Sequence, residues 1–306
     1  DLGGVDLVVG IAKAIAEAVS DDGRVEVKLS SGQRVSERVH RDFLVSEARR
    51  PVGRALDLQK AYKQMAPLPS LAPLLVVGTW NPVQKQIAYF LLRALPFGSR
   101  NSVYVFGAVA RALDIILTCL VNALLAQYVD DFTQLEPVAS FASADWAVVE
   151  ILDLLGWQLK KPGGHLPRFS LEFTALGVVF DLRGALQNII AIKDKADRIE
   201  QIIRLVRKIL DSERVRPSEV ESLRGRLAYT RSQCFGRCGA TALYFLSRLA
   251  SGAAREVDRE VRSQLEFWPR YLEASKPRTI ALRDSRRPVI IYTDGAEEEH
   301  GVGTGA

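Results

Sequence analysis

Two adjacent carboxylates, Asp130 and Asp131, follow the apolar run Leu120-Val121-Asn122-Ala123-Leu124-Leu125 and the dipeptide Tyr128-Val129. Side chains alternate across a strand, so the two acids cannot both face a core. Acids at the tip of a buried element are costly unless a cation offsets their desolvation. A divalent metal does this, and hard carboxylate oxygens suit Mg²⁺. The plain alternative is a strand running into a turn, where Asp is common. A third acid, Asp57, lies 73 positions upstream, after Ala55-Leu56 and before a short helix-compatible stretch, Leu58 to Gln64. Taken alone, Asp57 also suits a helix N-cap. Together, carboxylates from separate strands meeting at one edge could hold two metals about 3.5–4 Å apart, an arrangement that serves in-line displacement at phosphorus.

Three further segments stand in order around these acids. Ala94-Leu95-Pro96-Phe97-Gly98-Ser99-Arg100-Asn101-Ser102-Val103 is a Pro/Gly turn leading into a helix-like run. Leu155-Gly156-Trp157-Gln158-Leu159-Lys160-Lys161 and Phe173-Thr174-Ala175-Leu176-Gly177-Val178-Val179 follow the acidic pair. The ordered set, over about residues 50 to 250, resembles the reverse transcriptase family. It is nearest the polymerase of DIRS-like or related LTR-type eukaryotic retrotransposons, whose third block reads Leu-Pro-Phe-Gly.

The resemblance implies an RNA-directed DNA polymerase that joins a dNTP to a primer 3′ end by two-metal nucleotidyl transfer. Asp57, Asp130 and Asp131 would be the catalytic metal ligands, for two Mg²⁺ ions with Mn²⁺ as substitute, and the Leu58 carbonyl would complete one shell. Tyr62 takes the family position where an aromatic ring excludes a 2′ hydroxyl; a core Tyr fits its spacing almost as well. Phe97 and Gly98 form a bend that lets backbone approach a nucleotide, and Ser102 starts the helix beneath the templating pair. Lys160 or Lys161 would protonate the leaving pyrophosphate, and alignment does not choose between them. Phe173, Leu176 and Gly177 match the hairpin that grips the primer, although an apolar core strand reads the same way. The expected partners are an RNA or DNA template with primer and a dNTP, with no membrane and with oligomeric state open.

The elements needed to position these residues are legible in part. Helical spacing runs from Val5 to Val19, and alternation in Arg24–Leu29 with Gln33–Val35 predicts a hairpin. Strands are expected at Val52–Leu58, Leu74–Trp80, Gln86–Leu92, Arg168–Phe173 and Ala175–Leu182, with an acidic hairpin at Gln127–Thr133. Ser102–Leu125 would be one or two helices and Trp146–Gly156 another. From Asp194 the period becomes helical: Ile199, Ile202, Ile203, Val206 and Leu210 share one face, and helices follow at Pro217, Ala240–Leu249 and Val257–Leu272. Helices beside an antiparallel sheet make an α+β fold. Within the resemblance, residues 1–50 are partial fingers, 51–192 the palm with fingers elements, and 193–288 a helical thumb. Residues 289–306 would begin a ribonuclease H-like domain. There Val289–Ala296 resembles the opening strand and Asp294 its first metal ligand, with Glu297, Glu298 and Glu299 as a solvated turn. The later acids of that domain would lie past Ala306, and the fingers pattern opens midway, so a truncated polypeptide is expected.

Charge is distributed to match. Residues 1–192 hold 19 basic and 19 acidic side chains, whereas 193–288 hold 22 basic against 13 acidic, a net of +9. A basic helical region beside an acidic centre suits a polyanion-gripping enzyme, and equally a solvated helical surface. The family's triphosphate-binding fingers residues have no clear match: Arg49 and Arg50 lie too close to Asp57, and Arg38 and Arg41 lack a motif. Three cysteines without a pairing pattern speak against a secreted disulfide scaffold. Cys234 and Cys238 have no second ligand pair for zinc. No stretch reaches membrane-span length and no signal-like opening is seen, so an intracellular protein, cytoplasmic or nuclear, is expected. Two other classes compete: a non-catalytic nucleic-acid-binding remnant of a decayed retroelement, and a metal-dependent phosphodiesterase, which would cleave the substrate that a polymerase extends.

Overall fold

A computed structural model describes residues 4–20, 22–212, 216–235, 239–251, 257–284, 294–298 and 301–305. Helix α1 (Val5–Glu17) buries Val5, Val8, Val9, Ala12 and Ile15, the stripe its spacing presents. Strands β1 (Arg24–Lys28) and β2 (Arg34–Arg38) form the expected hairpin. Strand β3 (Pro51–Asp57) leads through a 3-10 turn, Ala61–Gln64, to the hairpin of β4 (Val76–Asn81) and β5 (Gln86–Leu91). Helix α2 (Arg100–Cys119), strands β6 (Leu125–Tyr128) and β7 (Asp131–Pro137) and helix α3 (Phe141–Leu154) follow. Strands β8 (Glu172–Ala175), β9 (Val178–Asp181) and β10 (Ile189–Asp194) precede α4 (Ala196–Leu210), α5 (Pro217–Thr230), α6 (Ala240–Ala250) and α7 (Arg259–Ala274). Strand β11 (Arg278–Ala281) returns to β10, and β12 (Asp294–Glu298) pairs with β13 (Gly301–Gly305). The fold is α+β, and every strand pair described is antiparallel.

The sheet that carries the acids has the order β3-β7-β6 and is covered on both faces. Leu56, Leu125 and Phe132 turn toward α2 and α3, packing with Phe106, Leu113, Leu117, Val148 and Leu152. Ala126 and Leu135 turn the other way, onto α1 and the sheet β11-β10-β9-β8 through Phe173, Val178, Phe180 and Ile192. Period-two alternation along β6 and β7 produces this split. Helices α4 to α7 enclose a third core around Val206, Leu223, Leu246 and Trp268.

Arg54, at the middle of β3, is 1% exposed. Its guanidinium donates to Asp145 at 2.5 Å and to Gln134 Oε1 at 2.8 and 3.1 Å, and lies 4.5 Å from the Phe169 ring centroid. Burial lowers the Arg54 pKa, the carboxylate of Asp145 opposing the shift. This polar knot locks β3, β7 and α3 into one register.

Five expectations are corrected. Helix α2 begins at Arg100, so Ser102 lies inside its first turn, and it ends at Cys119; Asn122 takes a left-handed φ of 54° before β6. The β8–β9 hairpin turns at Leu176-Gly177, with φ of 48° and 73°, so residues 168–171 add only a bridge from Ser170 to Gly53. Strands β10 and β11 were not anticipated; their short alternating runs carry weak periodic signals. Glu297 and Glu298 lie in a strand opposite Val302 and Gly301 rather than in a turn, because an extended partner outweighs the low strand propensity of Glu. Residues 289–293 and Glu299 lie outside the described residues. Helix α2 is also long and apolar enough to cross a membrane by length and composition, contrary to the expectation of no such stretch. It carries Arg111 and Asp114 and buries Phe106, Ala110, Leu113 and Leu117 on the sheet.

Candidate active site

The register of β3 on β7 pairs Asp57 with Asp131. Directly opposite residues share a face, with Cα atoms about 4.5–5.5 Å apart, so both carboxylates emerge on one side of one sheet edge. Tyr128 pairs with Asp131, leaving Val129 and Asp130 as a two-residue turn. Val129 adopts a φ of 54°. A β-branched residue there costs about 1–3 kcal/mol, strain of the kind found at functional sites. The Gln127 side chain supports the turn by donating to the Val129 carbonyl at 2.8 Å.

Lys160 completes the edge. Leu58 and Leu159 form an isolated bridge, and the Lys160 amide donates to the Asp57 carbonyl at 2.8 Å. This anchoring carries the Lys160 ammonium to 2.7 Å from Asp57 Oδ2. Lys161 is exposed and precedes the 3-10 turn Pro162–Gly164. The Asp57 hydrogen bond raises the Lys160 pKa. Burial raises that of Asp131, reinforced by the negative charges of Asp130 and Asp57 and partly opposed by Lys160 and Lys195. Three acids therefore sense one another at close range. A donor set of hard oxygens whose mutual repulsion calls for a cation fits Mg²⁺. Among the described residues, however, no three His, Cys, Asp or Glu side chains stand close enough to enclose one ion. The ammonium of Lys160 is the cation that Asp57 holds.

Tyr62 stands in the turn after β3, its ring centroid 5.1 Å from Phe97 and 4.8 Å from Phe106. Phe97 is exposed, and Gly98, at φ 86°, borders open space. Ser102 is buried in the first turn of α2. Gln64 ties this turn to the segment before Lys160, accepting from the Gln158 amide at 2.7 Å and donating to its carbonyl at 3.0 Å.

On the other side of the acids lies a cleft of about 420 Å³, reached by Tyr128, Asp131, Leu176, Gly177, Arg198 and Tyr229. Phe173 stacks on Phe180 and fills the space above Gly53, so the β8–β9 hairpin rests directly on β3. The Tyr229 hydroxyl donates to the Leu176 carbonyl, while Arg198 lies over the Tyr229 ring at 4.6 Å. Arg198 also donates to Asp194 at 2.9 Å, and Asp194 accepts from Thr230. Asp194 thereby joins β10, α4 and α5 at the cleft wall.

No protein family model and no curated protein matches the sequence. Solved structures share its fold. The foamy viral protease–reverse transcriptase dRH in complex with double-stranded DNA superposes with a TM-score of 0.54 at 17% identity, over 81% of this chain and 42% of that one. The foamy viral protease–reverse transcriptase in complex with double-stranded DNA gives 0.56 at 18% identity, over 87% and 54%. The fold is reverse-transcriptase-like. The chain spans about half the length of these neighbours.

Within this reverse-transcriptase-like fold, Asp57, Asp130, Asp131 and Lys160 share one edge, with Tyr62, Phe97, Gly98 and Ser102 clustered in and beyond the turn after Asp57. Leu176 and Gly177 line the cleft beside Asp131, whereas Phe173 is buried in the core over Gly53 and does not reach it. Arg49 and Arg50 sit beyond the opposite end of β3, beside Arg283. Asp294 opens β12 opposite Gly305. Arg198, Tyr229 and Gln233, which line the cleft, and Lys195, which acts on Asp131, were not singled out from the sequence. No local motif marks them, because they reach the cleft only through the packing of α4 and α5 on β10.

Proposed function

We propose that the chain is the polymerase core of a retroelement reverse transcriptase, an intracellular RNA-directed DNA polymerase acting on a primed template and dNTPs. The observation that carries this reading is Asp57 paired with Asp131, beside Asp130 in a strained turn, within a reverse-transcriptase-like fold. Asp57, Asp130 and Asp131 would hold two Mg²⁺ ions, with the Leu58 carbonyl as a further ligand; bound there, the ions would activate the primer hydroxyl and neutralise the departing pyrophosphate. Lys160, which pairs with Asp57, would be the lysine that moves a proton at that pyrophosphate, and would first have to leave Asp57. The Tyr62 ring, backed by Phe106, would close the sugar pocket against a 2′ hydroxyl, and Phe97-Gly98 would bring backbone to the nucleotide. Leu176 and Gly177 would seat the primer end along the cleft, with Arg198 supplying a phosphate contact.

The same reading divides the chain into fingers elements (1–50), palm (51–192), basic thumb (193–288) and a ribonuclease H-like segment (289–306) containing Asp294. Leu95-Pro96-Phe97-Gly98 favours a DIRS-like or related element as its source. Primer extension on poly(rA)/oligo(dT) with Mg²⁺ or Mn²⁺ tests the proposal, with elongated primer expected. A second reading, a nucleic-acid-binding remnant, draws on Lys160 neutralising Asp57 where a metal would otherwise sit. Folded protein that binds the primed template and never extends it would establish that reading, and cleavage of the primer would point to a phosphodiesterase.

A further inference from the structure

A second concave site lies away from the acids, at the far end of β7. A groove of about 510 Å³ opens between the loop before β6, the end of β7 and the start of α3, lined by Phe43, Val121, Leu124, Ala144 and Trp146 with Glu136 at its floor. Asn122, Ser140 and Ser143 add polar lining, and a mostly apolar groove of this volume with a few placed polar groups is that of a small-molecule site. Glu136 is 3% exposed. Its Oε1 accepts from the Leu124 amide at 3.0 Å and from Gln134 Nε2 at 3.1 Å. Both donors are neutral and both use the same oxygen. Among the described residues, Oε2 has no hydrogen-bond partner and no cation forms a salt bridge with Glu136. The Arg54 guanidinium attracts the Glu136 carboxylate electrostatically but gives its hydrogen bonds to Asp145 and Gln134, and burial outweighs that attraction, raising the Glu136 pKa. A carboxylate accepts about four hydrogen bonds when fully satisfied, and a buried one with no cation in direct contact is costly. Trp146, 68% exposed at the rim, adds an indole face that attracts cations.

We propose that this groove binds an organic cation, an amidinium, guanidinium or ammonium carried on an apolar body, whose N–H groups pair with Glu136 while the body lies along Phe43, Leu124 and Trp146. The site is separate from the polymerase centre: Glu136 lies on the helix-covered face of β7, five residues from Asp131 on the opposite face. The proposal therefore stands whether or not the chain polymerises DNA.

Benzamidine and its neutral isostere benzamide, titrated while the Trp146 indole N–H resonance is followed, provide the test. Saturable shifts with benzamidine and at least tenfold weaker binding of benzamide are expected. Glu136→Gln keeps the oxygen that accepts from Leu124 and Gln134 and removes only the charge, so it should leave the melting temperature nearly unchanged and weaken benzamidine at least tenfold. Ala144→Phe should block the groove without altering charge. An acetylated arginine-containing tripeptide run in parallel distinguishes a protein-borne guanidinium from a free aryl cation, and Glu136-dependent binding of either upholds the proposal. Equal binding of benzamide and benzamidine, undiminished binding by folded Glu136→Gln, or no saturable shift for any cation would overturn it.

Discussion

At the scale of single residues, the acids are in conflict with the stability of the molecule. Burial and the charges of Asp130 and Asp57 raise the Asp131 pKa, so the folded state holds that proton more tightly than the unfolded chain. Stability is therefore lost as pH rises from the ordinary carboxylate range through the raised value. Asp131→Asn should melt higher than wild type at pH 7 in EDTA, the gain disappearing by about pH 3, where both carboxyls are protonated. Added Mg²⁺ should narrow the gap, since it offsets like charges that only the wild type has in full. A variant that melts lower at pH 7 would contradict this electrostatic account. Asp130→Asn should lower nucleotide incorporation by about a hundredfold or more, the scale of losing a directly acting group. Template affinity should stay nearly unchanged; equal loss of both would remove Asp130 from the chemistry. Tyr62→Ala should let ribonucleotides be incorporated, measured as the rNTP-to-dNTP ratio, and unaltered sugar selectivity would return Tyr62 to the core.

At the scale of elements, what matters is which strand lies opposite which. Gly53 pairs with Leu135 and lies beneath Phe173, so a methyl group there would meet the ring. Gly53→Ala should destabilise by about 1–3 kcal/mol, as overpacking does, and loosen the β8–β9 hairpin from β3. Unchanged denaturant unfolding would show that the hairpin can move aside freely. Helix α1, the first two hairpins, the 3-10 turn and the helices after Asp194 were legible because turn residues and period-3.6 or period-2 patterns are local. Strands β10 and β11 were not, being short and dependent on partners far along the chain. The boundary between β8 and β9 was misplaced because its turn uses Leu176 at positive φ, a position where Gly or Asn would have been the signal. Lys160 could not be separated from Lys161 by sequence. A bridge from Leu58 to Leu159, about 100 residues apart, makes the choice.

At the scale of the whole molecule, an acidic edge is flanked by helices with a net positive charge. If those helices grip the template, affinity should fall steeply between 50 and 200 mM salt, by about 10²-fold or more for several bound phosphates. Reversing the exposed Arg204 and Arg207 on α4 should flatten the slope by about one for each phosphate no longer neutralised, whereas Asp130→Asn should leave it intact. A salt slope unaffected by Arg204→Glu and Arg207→Glu would place the nucleic-acid interface elsewhere. The sequence alone determined the chemistry available and much of the local form: two adjoining acids behind an apolar run, a third acid after a strand, and a basic helical half. Only the tertiary structure decided that Asp57 and Asp131 share a face, that Lys160 is the lysine among them, and that Arg198 and Tyr229 wall the cleft. Composition and periodicity act over a few residues, while the facing of a strand depends on its partner's register, and a slip of one residue would have turned every one of these side chains to the opposite side.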